Sequence, residues 1–187
     1  MGISKSFLTS SVQSKYIKFL GFLEDYPQFQ LFDSFIYVDH KILLTSKTIR
    51  TLEKIKDRDK SILIRNGKTL KNSLTDEINS ANQYPRYSLN MPATISWIDT
   101  VLASQKLQAK VRSMNTGLIY YSNIEAIIPL LDEVLDVINK LQQPECQLIF
   151  ALLSQKYENL IQRVEFSDVN LEHVLPPGGI TWNFNSL

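Results

Sequence analysis

The chain has 187 residues, 44% of them hydrophobic and 21% charged, with a formal net charge of +1. Those proportions belong to a folded globular chain and exclude a disordered or collagen-like one. The single cysteine, Cys146, excludes an internal disulfide framework and fits a reducing compartment, and no apolar run approaches the roughly 18–20 residues that span a bilayer.

A cytoplasmic protein without a membrane partner is therefore expected. The N-terminus has no apolar signal-peptide core. Met1-Gly2-Ile3-Ser4-Lys5-Ser6 matches the short template for myristoylation of Gly2, a degenerate pattern.

In chain order, the first expected helix covers 8–24, with Ile17, Phe19, Leu20, Phe22 and Leu23 as its apolar side. Tyr26-Pro27 ends it, because proline disfavours helix in the residue before it. Phe35 to Val38 and Lys41 to Thr45 are rich in β-branched and aromatic residues around Asp39-His40, which predicts a hairpin; a buried helix would look similar. Ser46 is expected to cap a helix over 47–57, with Ile49, Leu52 and Ile55 facing inward and Lys47, Arg50, Lys54 and Arg58 along another face. Asn66-Gly67 between two short apolar runs predicts a second hairpin, since a type I′ turn needs positive φ at both central residues. A short helix and a loop containing Tyr84-Pro85-Arg86-Tyr87 follow over 73–91.

The C-terminal half predicts three helices, over 92–113, 122–141 and 144–164. Ser122 and Glu125 form a candidate capping box for the second, and Pro129 lies inside it. Tyr120-Tyr121 would staple that helix start, and Gln142-Gln143-Pro144 would turn the chain back. The expected fold is mostly α: an antiparallel three-helix bundle over 91–167, a basic α+β region over 1–90 with one or two short hairpins, and an extended tail over 168–187.

Charge segregation is the main functional signal. Residues 41–71 hold ten cations against Glu53, Asp57 and Asp59, a local excess of seven. Such a field attracts polyanions whatever the net charge. The expected nucleic-acid contacts are Lys47, Arg50, Lys54, Arg58, Arg65, Lys68 and Lys71, with Arg86 beside tyrosines that could stack on a base. Residues 125–173 carry nine acidic and three basic residues, so the cations could also find a partner within the chain or on a second copy.

Little points to catalysis. His40 and His173 are isolated from each other and from Cys146, and Asp33, Asp39 and His40 fit a turn better than a metal site. Gly178-Gly179 precedes no helix and is no phosphate loop. No cofactor and no metal are expected. Trp182 and Phe184, after Pro176-Pro177-Gly178-Gly179, are expected either to fold back or to dock on another protein by strand addition. The expected function is a non-enzymatic accessory subunit of a nucleoprotein complex, with other protein subunits as neighbours. A protein–protein adaptor or self-assembling scaffold is the competing class.

Overall fold

The computed structural model describes residues 5–67, 73–169 and 171–173. Its elements are α1 (Lys5–Lys18), α2 (Phe22–Asp25), a 3-10 turn (Pro27–Leu31), β1 (Ser34–Val38), β2 (Ile42–Leu43), α3 (Ser46–Ile55) and β3 (Ile62–Asn66). There follow α4 (Leu74–Ala81), α5 (Pro85–Ser88), α6 (Met91–Gln105), β4 (Met114–Ser122), α7 (Ile124–Leu141), α8 (Cys146–Leu153), a second 3-10 segment (Ser154–Leu160), β5 (Ile161–Val164) and β6 (Glu172–His173).

The organising element is a four-stranded mixed sheet in the order β1-β4-β3-β5. β4 is antiparallel to both neighbours, while β3 and β5 run parallel. β2 and β6 form a separate two-stranded antiparallel ladder, with Ile42 opposite His173. Alternation along the strands builds two cores. Ile62, Ile64, Ile119 and Tyr121 face the large one, against α7, α8 and the end of α1. Leu63, Leu118 and Tyr120 face the small one, closed by Leu52 of α3 and by Val169. Helices therefore cover both faces, and the sheet takes strands from both halves of the chain.

This overturns the expected C-terminal bundle. α6 and α7 are real, but β4 lies between them, and the third expected helix stops at Leu153 before becoming a 3-10 segment and then β5. β4 was invisible as a strand because it is buried on both faces and shows no alternation of polarity. In β5, Ile161 and Val164 are three apart, which marks one face of a helix. On a strand the same spacing puts them on opposite faces, and Ile161 enters the large core while Val164 enters the small one. Tyr120 and Tyr121 are likewise strand residues rather than a helix staple.

The capping box also fails. The residue before α7 is Asn123, in the left-handed region at φ 44°, with no side-chain cap. The Ser122 hydroxyl instead donates to the Lys60 carbonyl at 3.3 Å. Both hairpins are corrected as well. Ile42 N–H donates to the Asp39 carbonyl at 2.8 Å, so the Asp39-His40 turn exists, but β1 pairs with β4 and β2 with β6. Asn66 ends β3 opposite Met114, and Gly67 N–H donates to the Ser113 carbonyl at 2.9 Å. Residues 68–72, and with them Lys68 and Lys71, lie outside the described residues.

The first expected helix is divided. Leu20, at φ 58°, separates α1 from α2. Gly21 follows with ordinary backbone angles, and its constraint is space: a β-carbon would collide with the Tyr16 ring and with Leu135 of α7. Tyr16 is tied down by its hydroxyl, which donates to Asp25 Oδ2 at 2.5 Å. Gly21→Ala is expected to cost about 1–3 kcal/mol through overpacking, read from the midpoint of denaturant unfolding at unchanged slope.

Candidate nucleic-acid interface

α3 is a short helix with a local start signal and a tertiary anchor. Thr45 Oγ1 accepts from Thr48 N–H at 3.1 Å and so caps it, one residue earlier than the expected Ser46. Thr48 and Leu52 are buried, and Ile55 packs against Leu63, Leu118 and Tyr120. Lys47, Arg50 and Lys54 are all exposed. At 3.6 residues per turn and 1.5 Å rise, they fall within an arc of about 60° along about 10 Å of helix. They form one stripe, directed away from the sheet that the inner residues contact.

The loop after α3 is fixed by β5. Gln162 Oε1 accepts from Asp57 N–H at 2.8 Å, and its Nε2 donates to the Ile55 carbonyl at 2.8 Å. Asp57 Oδ1 also accepts from Asp59 N–H at 3.0 Å. This places exposed Arg58 at the C-terminal end of the stripe, with Asp57 and Asp59 beside it and Glu53 on the helix flank. Among the described residues, no carboxylate forms an ion pair with Lys47, Arg50, Lys54 or Arg58.

Three other cations of the same stretch, Lys56, Lys60 and Arg65, are occupied. Lys56 Nζ lies 5.0 Å from the centre of the Tyr120 ring, and Lys60 Nζ donates to the Asn159 carbonyl at 2.7 Å. Arg65 is 3% exposed. Its Nη1 donates to the Val169 carbonyl at 3.0 Å, its Nη2 to Asn115 Oδ1 at 3.3 Å, and its guanidinium stacks 4.3 Å from the Phe166 ring centre. Burial lowers its pKa. Arg65 thus holds the segment after β5 against the sheet and does not join the stripe. Arg86 lies 4.4 Å over the ring of Tyr87, which packs on the large core, so it belongs to the other face of the sheet. Trp182 and Phe184 lie outside the described residues.

The acidic residues expected to rival a polyanion lie mostly across the sheet. Asp132 and Asp136 are exposed on α7, which packs on the large core, whereas α3 packs on the small one. Burial, then the nearby Glu24 and Asp136 charges, push the Asp132 carboxyl up. Glu133 pairs with Lys156 at 2.5 Å, and Glu165 takes both terminal nitrogens of Arg112 at 2.8 and 2.9 Å.

One polar cluster had no local signal. Lys18, 4% exposed, places Nζ 3.3 Å from Asp39 Oδ1, 3.3 Å from Thr116 Oγ1 and 4.0 Å from Cys146 Sγ. The Tyr37 hydroxyl donates to Asp39 Oδ1 at 2.8 Å, and the Tyr121 hydroxyl donates to the Lys18 carbonyl at 2.8 Å. Burial pushes the Asp39 carboxyl up, but the Lys18 charge and the hydrogen bonds from Tyr37 and Lys18 outweigh it and hold the group below the ordinary aspartate value. The cluster ties α1 to β1, β4 and α8. Its members come from four distant parts of the chain. Among the described residues no three His, Cys, Asp or Glu side chains gather as metal ligands, and exposed His40 stands beside the cluster rather than in it. No described helix is long and apolar enough to cross a membrane. No protein-family model, curated protein or solved structure matches this chain.

Proposed function

We propose that this chain is a non-enzymatic accessory subunit of a nucleoprotein assembly, holding a nucleic-acid backbone through Lys47, Arg50, Lys54 and Arg58. The observation that carries this reading is the sorting of the cations. Arg65, Lys56 and Lys60 are engaged by the fold, while these four stay exposed, unpaired among the described residues, on a capped helix and a pinned loop. A rigid stripe loses little freedom on meeting a row of phosphates, and each phosphate neutralised releases condensed counterions. Protein neighbours would be met by the exposed Tyr26, Phe29, Leu31 and Phe32.

Binding to unrelated duplex DNA and single-stranded RNA, followed by fluorescence anisotropy across salt, tests the reading. Four phosphate contacts predict a log–log salt slope of about −3.6 on duplex DNA, and so roughly a hundredfold loss of affinity between 50 and 200 mM salt. A chain that binds neither polymer at low salt is not a nucleic-acid subunit. The second reading, a self-assembling scaffold, draws on the placement of the cationic stripe and the α7 acidic patch on opposite faces of the sheet. It predicts salt-sensitive, concentration-dependent association in sedimentation without any nucleic acid.

A further inference from the structure

The two edges of the main sheet differ. β5, at one end of the order β1-β4-β3-β5, carries the charge of Arg163, and Gln162 holds the loop after α3 against it. β1, at the other end, reads Ser-Phe-Ile-Tyr-Val, with no charge and no proline to discourage pairing. Asp39 N–H donates to the Gly117 carbonyl at 2.8 Å, which makes 39 and 117 a hydrogen-bonded pair. Alternation then turns the backbone groups of Phe35 and Tyr37 toward β4. Those of Ser34, Ile36 and Val38 point outward, where no described residue bonds to them.

This edge is complementary to itself. A two-fold axis through Ile36 sets two copies of β1 antiparallel, with Ile36 opposite its own counterpart and Ser34 opposite Val38 of the second copy. Each outward N–H then meets an outward carbonyl. Phe35, packed on the large core, falls opposite Tyr37 of the second copy as an aromatic cross-strand pair. Ile36 and Val38, packed on the small core, share the other face.

Charge agrees with the same register. Asp33 is exposed and forms no ion pair among the described residues. The two-fold brings it beside Asp39 of the second copy. Asp39 feels both Lys18 and Lys41, so an excess of positive charge awaits the incoming carboxylate. An apolar row extends the edge: Phe35 meets Phe32 edge-on at 6.1 Å, and Phe32 stacks on Phe29 at 6.1 Å. Phe32 is 58% exposed and Leu31 86%. Five paired residues alone bury less than the roughly 1,200 Å² of a stable interface, and this row supplies further apolar area beside the strand.

We propose that two copies of this chain join through β1, fusing their main sheets into one. A second copy is favoured over an unrelated strand because one register satisfies the outward backbone groups, pairs the aromatic rings and matches the charges. The guarded β5 edge stops further growth, so assembly closes at two. α3 packs over Leu63 and Leu118, away from β1, and both cationic stripes stay uncovered.

Sedimentation of the full chain without nucleic acid, from about 1 to 100 μM, tests this. The mass should rise from 21.5 kDa to twice that value and stop there. Amide exchange at Ile36 and Val38 should slow as the dimer fills, while Ile64 and Ile119, inside the sheet, stay protected throughout. Ser34→Pro removes an outward donor and should weaken dimerisation roughly tenfold or more. Should that variant fail to fold, Asp33→Lys, at an exposed position, should weaken it in the same direction. Reversing Lys47, Arg50 and Lys54 to glutamate should leave the dimer intact, which separates it from association through the cationic stripe. A monomer across the whole range, growth beyond two copies, or an unchanged dimer in a folded edge variant each overturns the proposal. Protection of Ile36 and Val38 that is independent of concentration also overturns it, by assigning the edge to the chain itself.

Discussion

Replacing Lys47, Arg50 and Lys54 together with glutamate is expected to reduce nucleic-acid affinity at least a hundredfold at low salt and to flatten the salt dependence. The three side chains share one exposed stripe, so reversing them changes the sign of the local field rather than thinning it. Each lost phosphate contact should lower the salt slope by about one, leaving a slope near that of Arg58 alone. The helix should survive, since its cap is Thr45 and its anchors are Thr48, Leu52 and Ile55, none of which changes. Circular dichroism and the unfolding midpoint supply that control. Arg65→Ala should behave in the opposite way. It removes the bonds to Val169 and Asn115 and so affects stability, with the salt slope unchanged. Unaltered affinity in the triple variant would remove the stripe from any nucleic-acid role.

Asp39→Ala is expected to be the most destabilising single change of a polar residue. It leaves the Lys18 ammonium, with a side chain only 5% exposed, without its carboxylate. Removing one member of a buried ion pair costs about 3–5 kcal/mol, because the remaining charge is stranded. For a chain of this size that lowers the melting temperature by roughly 6–20 °C. Lys18→Met should cost less. Its stem still packs, and the abandoned Asp39 keeps both its exposure of 27% and its hydrogen bond from Tyr37. Lys18→Met with Asp39→Asn should then be more stable than Asp39→Ala alone, and a double-mutant cycle measures the coupling. A pH signature accompanies it. The folded carboxyl titrates below the ordinary aspartate value, so its contribution is complete above about pH 4, where an unfolded aspartate is ionised. It fades as pH falls through the lower folded value. Without Asp39, that part of the acid sensitivity should vanish from the unfolding midpoint measured against pH.

The same residues show what was legible from the chain. α3 was readable to within a residue or two because its signals are local: a hydroxyl cap, an apolar repeat and a cationic face within a dozen positions. α7 was readable for the same reason, as a long apolar stripe. β4 and β5 were not, since one is buried on both faces and the other is too short to separate helical from strand spacing. Part of the site followed the same rule. Lys47, Arg50, Lys54 and Arg58 stay on the surface, as a helical wheel suggests, whereas the fate of Arg65 depends on Val169 and Asn115, 104 and 50 positions away. The Lys18 cluster is less readable still, with Thr116 98 positions and Cys146 128 positions from the lysine.

The strand order also bears on how the protein emerges from a ribosome. β1 and β3 are made early, yet each must wait for β4, whose first residue comes 48 positions after the end of β3. At about 5–20 residues per second, that is a delay of roughly 2–10 s during which Ile62 to Ile64 have no sheet to join, and Phe35 to Val38 wait longer still. β5 is made later again. The nascent chain therefore shows chaperones two bare hydrophobic segments before any stable sheet can close, and the central strand acts as the timer of its folding.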